Sequence, residues 1–249
     1  MLIKNRWSWG RQLQWGIFLF LIFIFLNFFF YDTTETFKGL WSLLFSIISL
    51  CIFIVSAGTT KLLLAKIKMT KSIAIWCGLC IFTFVIEMLV YNIPQNIYIV
   101  ITSKYFWTNS FDALSAAIFE ESICRGLLFS SFIGLGVYRG TKLNITKSAI
   151  YSSLLFSSFH FMNFLSGSAN IVLQQMFSAV AIGVFFVMIR VLTNGILWPI
   201  IIHFLLDWGP LVSYSYNGTS NWGVTIIIFT LILTLSIKSL ITIEHQIAS

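Results

Sequence analysis

Charge is scarce in this sequence. Lys, Arg, Asp and Glu together make up 9% of the 249 residues, whereas a soluble domain carries about 25%. A water-soluble globule could not cover its surface with so few charges. A disordered chain needs the opposite balance, high charge with low hydrophobicity. Cysteine is sparse too. Cys51, Cys77, Cys80 and Cys124 all fall in apolar stretches and offer no disulfide framework. Cys77-Gly-Leu-Cys80 has the spacing of a redox motif, but its apolar setting points to core packing. Also missing are the phosphate loop G-x-x-x-x-G-K-S/T, the zinc-protease motif H-E-x-x-H, a G-x-S-G serine motif and a G-x-G-D aspartyl motif. Gly134-Leu135-Gly136 lacks the acid of the last of these.

What is abundant is apolar. Hydrophobic residues make up 58%, and the mean hydropathy is +0.93. These values describe an integral membrane protein. The formal charge of +7 would suggest a nucleic-acid partner in a soluble chain. Here the basic excess has a simpler origin, the Lys and Arg that collect in cytoplasmic loops, and no nucleic-acid partner is expected.

A membrane-crossing helix needs about 20 mostly apolar residues. The sequence predicts an all-α, polytopic membrane bundle of about eight spans, forming one domain over residues 1–249. The candidates are Leu13 to Phe30, Trp41 to Ala57, Ser72 to Tyr91, Phe111 to Val137, Ser148 to Leu165, Ile171 to Leu192, Ile196 to Tyr214 and Trp222 to Leu240. Asn92 to Ser110 reads as interfacial, because its apolar core is too short to cross. The first span has no A-x-A-like cleavage site after it and reads as a retained anchor.

Basic residues alternate between loops. Lys4, Arg6 and Arg11, then Lys61, Lys66, Lys68 and Lys71, then Arg139, Lys142 and Lys147, then Arg190 and Lys238 fall on one side. The other side receives Lys38 and Lys104. This pattern predicts both termini in the cytoplasm. Arg190 is expected at a cytoplasmic helix end, Asp112 at the start of the fourth helix, and Glu87 as an interfacial carboxylate. The wealth of Phe, Ile and Lys suggests a low-GC bacterium, and hence a bacterial cell membrane.

An ionisable group at mid-bilayer costs about 2.5 to 3.5 kcal/mol on the insertion scale, so its presence points to function. Three spans carry such groups. The fourth holds Glu120, Glu121 and Arg125. The fifth holds His160, followed by Asn163. The seventh holds His203 and Asp207. Glu121 and Arg125 are four apart and can pair on one helix face. Glu120 then points about 100° away, toward a cavity. His203 and Asp207 are also four apart. The three clusters lie at similar depth, which is costly unless they meet. A buried carboxylate with two imidazoles can activate water and stabilise an oxyanion. Two His and a carboxylate can equally hold zinc. Residue types alone leave both open.

These motifs resemble the family of CAAX proteases and bacteriocin-processing enzymes, the Abi family of intramembrane endopeptidases. The family pattern E-E-x-x-x-R, F-x-x-x-H and H-x-x-x-N/D is met in order by Glu120-Glu121-x-x-x-Arg125, Phe156-x-x-x-His160 and His203-x-x-x-Asp207. Gly126, Asn163 and Pro199-Ile200 flank them as in the family. The resemblance covers about residues 111–207, the expected catalytic core. It implies that Glu120, assisted by His160, activates water, and that His203 and Asp207 stabilise the oxyanion. Glu121, Arg125 and Asn163 would support the site. It implies a glutamic protease without a cofactor, with a peptide or membrane-protein substrate met in the lipid bilayer. The alternatives are a zinc protease with Glu120, His160 and His203 as ligands, or a non-proteolytic bacteriocin immunity protein. Two departures stand out: Cys124 where the family has an aromatic, and Asp207 in place of the commoner Asn.

Overall fold

The computed structural model describes residues 2–165, 167–210 and 221–248. Among these residues ten α-helices follow one another: α1 (Trp9–Phe29), α2 (Glu35–Ala57), α3 (Lys71–Val90), α4 (Ile93–Thr102), α5 (Phe106–Glu120), α6 (Phe129–Tyr138), α7 (Asn144–Phe159), α8 (Ala169–Thr193), α9 (Leu197–Asp207) and α10 (Trp222–Ala248). A π-helical segment, Glu121–Leu128, joins α5 to α6, and a 3₁₀ segment, His160–Leu165, follows α7. Among the described residues there is no strand, only an isolated bridge between Leu2 and Leu63.

Among the described residues five helices, α1, α2, α3, α8 and α10, are long and apolar enough to cross a membrane. The other three predicted spans take different forms. Phe111 to Val137 lies in an unbroken helical run from Phe106 to Tyr138, widened in the middle by the π segment. Asp112 therefore sits in the second turn of α5 and does not mark its start. Ser148 to Leu165 is a 16-residue helix that tightens into the 3₁₀ turn at His160. Ile196 to Tyr214 contributes the 11-residue α9, and residues 211–214 lie outside the described residues. The stretch read as interfacial forms α4, whose entry residue Asn92 is left-handed (φ 56°). That conformation suits Asn better than most side chains. The outer helices start on matched caps: the hydroxyls of Ser8, Thr34 and Thr70 each accept from a backbone N–H three residues on.

The burial pattern is that of a membrane protein. Large apolar side chains such as Phe18, Leu21, Phe25, Phe28, Leu44 and Phe82 face outward. Small and polar ones face inward. On α2, Ser42, Ser46, Ser49 and Ser56 are all buried, and Ser46 Oγ donates to the Ser115 carbonyl of α5 at 2.7 Å. Lipid tails compete for Leu as well as another helix does, so close approach of small residues takes over as the packing device. Gly183 of α8 meets Ser153 of α7 in the same way. With five spanning-length helices, this is a multi-pass membrane protein.

Two apolar clusters form the interior. One gathers residues of α3, α6, α7, α8 and α10 around Phe84, Phe129, Phe185, Phe186 and Ile232. The other joins α1, α2, α5, the π segment, α7 and α9 around Leu19, Phe53, Phe119, Phe156 and Ile200. Cys77 and Cys80 belong to the first, as core packing predicts, and all four cysteines are free.

Arg190 is a helix-end residue, as expected, but it does not face solvent. It lies near the end of α8, but its side chain turns inward and is 1% exposed. Its guanidinium lies over the rings of Phe53 and Phe129, at 5.3 and 5.5 Å. The basic count of a loop had no means of seeing which face of the helix this residue occupies.

Candidate active site

The π segment is buried along its whole length, Glu121 to Leu128. Single π turns inside α-helices recur at functional sites. Here the turn begins between two adjacent acids and sends them to different partners. Glu121 points into the protein, where its Oε1 lies 3.0 Å from Arg125 Nη1 with both side chains enclosed. Glu120 stays 28% exposed and lines two cavities, of about 310 and 240 Å3.

Arg125 sits at the seam between the two apolar clusters. Phe156 of one and Phe186 of the other flank its guanidinium, with ring centroids at 4.8 and 5.1 Å. An enclosed cation over two aromatic faces gains from their quadrupoles as well as from its ion pair. The same two rings also contact the imidazoles: Phe156 lies edge-on to His160 at 5.0 Å, and Phe186 lies 5.3 Å from His203.

His203, one turn before the end of α9, is the point where the carboxylates converge. Its Nδ1 is 2.8 Å from Glu121 Oε1. Its Nε2 is 3.2 Å from Asp207 Oδ2 and 3.5 Å from Glu120 Oε2. An ionised carboxylate only accepts, so Nδ1–H donates to Glu121, and the far nitrogen is left facing the two outer acids. Sequence spacing pairs Glu121 with Arg125 alone. The structure adds His203 as a second partner on the same oxygen.

His160 caps α7 and opens the 3₁₀ turn. It lines both cavities alongside Glu120. In a 3₁₀ turn, residues three apart eclipse, and Asn163 accordingly lines the larger cavity with His160. Asn163 Nδ2 donates to Gln175 Oε1 of α8 at 2.7 Å. Cys124 and the rings of Phe20, Phe23 and Phe159 complete the apolar wall of that cavity.

All seven predicted site residues are thus brought into one region. Sequence reasoning missed the contribution of α8, because Phe186, Gln175 and Ser178 carry no charge and belong to no motif. It placed Glu87 at an interface. In the structure Glu87 is 6% exposed and lines the smaller cavity together with Glu120, His160 and His203.

Residues 102–209, which contain every one of these motifs, match the Rce1-like family, type II CAAX prenyl endopeptidase Rce1-like. That match agrees with the resemblance to CAAX proteases that the motifs carry. No curated protein and no solved structure matches the chain.

Among the described residues no three His, Cys, Asp or Glu side chains are placed to hold a metal. His203 Nδ1 is occupied by Glu121, and its Nε2 faces two acids.

Proposed function

We propose that this protein is an intramembrane endopeptidase that hydrolyses peptide bonds of membrane-associated peptides or proteins, without a metal. The observation that carries the reading is the meeting of Glu120, His160 and His203 at one cavity within a segment of the CAAX-protease family. In this reading a water held between Glu120 and His160 attacks the scissile carbonyl carbon, and Glu120 takes its proton. The carbonyl oxygen becomes an oxyanion and accepts from Nε2–H of His203, which in this reading is protonated on both nitrogens, with Asp207 orienting the ring. Collapse breaks the C–N bond, and Glu120 returns the proton to the leaving amine. Glu121 and Arg125 hold His203 in place from behind. Apolar walls exclude bulk water, which strengthens each of these interactions.

The test is peptidomics of membranes from cells producing wild type, Glu120→Ala or His160→Ala. Products found only with wild type support the reading, and removal of a general base lowers turnover by about 10²- to 10⁴-fold. Identical peptide profiles in all three would overturn it.

A further inference from the structure

The cleft has two unlike ends. On one side of Glu120 and His160 lies the cavity walled by Phe20, Phe23 and Phe159. On the other side the smaller cavity leads to Glu87, Gln175 and Ser178. These three also line a further cavity of about 410 Å3, bordered by Tyr91, Gln174 and Thr225. The site therefore continues as a groove between α3, α8 and α10, with Glu87, Gln175 and Ser178 in its otherwise largely apolar wall.

Among the described residues, Glu87 is the one acid along the outer part of that groove. Its Oε2 is fully enclosed and receives no hydrogen bond from the described residues. Neither cavity that Glu87 lines has a Lys or Arg in its wall. Leaving a buried polar group unmatched costs about 1 to 3 kcal/mol, and more for a charged one. Glu121, also on the inner side of the bundle, has Arg125 and His203. Glu87 has no such partner among the described residues and lines both cavities. It stands three residues from the end of α3, the region where a long basic side chain of a membrane-bound peptide reaches toward the interface.

We propose that Glu87 is a specificity-determining residue, and that the groove around it accepts a basic side chain of the substrate peptide on one side of the scissile bond. The apolar cavity takes the residues on the other side. This inference rests on the peptidase reading of the site.

The experiment uses the purified full chain in lipid vesicles with a synthetic library of apolar peptides. One position at a time carries Lys, Arg, Glu or norleucine, and products are read by mass spectrometry. A charge-assisted hydrogen bond predicts that wild type cuts Lys or Arg peptides about tenfold faster than norleucine peptides at one fixed position. In Glu87→Gln that ratio falls toward one, in Glu87→Asp it is partly kept, and in Glu87→Lys the preference moves to Glu. Each ratio is internal to its variant, so a loss of folded protein cancels. Cleavage by wild type with no basic preference, or an unchanged ratio in Glu87→Gln, overturns the proposal and leaves the peptidase reading standing. No cleavage of any peptide by wild type, with no wild-type-specific product in the membranes, overturns both.

Discussion

Glu121 and His203 are 82 residues apart in sequence and 2.8 Å apart in space, Oε1 to Nδ1. The contact links a π turn to the last turn of α9. It sets the orientation of the imidazole, so the far nitrogen faces Glu120 and Asp207. The same oxygen meets Arg125, so one atom holds two elements of the site together.

Replacing Glu121 by Ala leaves Arg125 buried without its counter-ion and His203 free to turn. Breaking one side of a buried ion pair costs about 3 to 5 kcal/mol. Thermal unfolding in detergent is expected to fall sharply, and activity with it. A variant that unfolds at the wild-type temperature would show that the pair contributes little to the fold.

Asp207 is more open than its neighbours, with 41% of its side chain exposed. The family pattern accepts Asn there. Asp207→Asn is therefore expected to keep most activity, because the amide oxygen can still accept from His203. His203→Ala removes the proposed oxyanion donor and should lower turnover by about 10²- to 10³-fold. Equal losses in the two variants would argue against this division of roles.

Metal chelators are expected to leave peptidase activity intact, and elemental analysis of purified protein should find no stoichiometric zinc. A 1:1 metal content lost together with activity on chelation would reverse this part of the mechanism.

The approach of α7 to α8 is set by a missing side chain. A Cβ on Gly183 would meet Ser153 Oγ at 2.6 Å and Cβ at 2.7 Å. Overpacking of this kind typically costs about 1 to 3 kcal/mol. Gly183→Val should lower the unfolding temperature, and Ser153→Gly in the same chain should recover part of the loss.

Much of the bundle was legible because membrane helices announce themselves by length and hydropathy. The bounds of α1, α3 and α8 fall within a few residues of the predicted spans. The candidate site was legible for a related reason: Glu120, His160 and His203 stand out against an apolar background. What stayed hidden depends on which way a side chain faces. Arg190 reads as a loop cation and Glu87 as an interfacial acid, because hydropathy cannot tell the inner face of a helix from the outer one. The π turn was hidden as well. No composition rule marks a shift of one hydrogen-bond register, and periodicity counts assume an α-helix throughout.

That shift has an architectural consequence. Before it, the rod from Phe106 packs against α2 and α9; after it, the rod packs against α1 and α7. A helix turns by about 100° for each residue, so an extra residue in one turn re-aims everything that follows. A single continuous element can thereby serve as a wall to two different sets of neighbours, with its paired acids placed at the changeover.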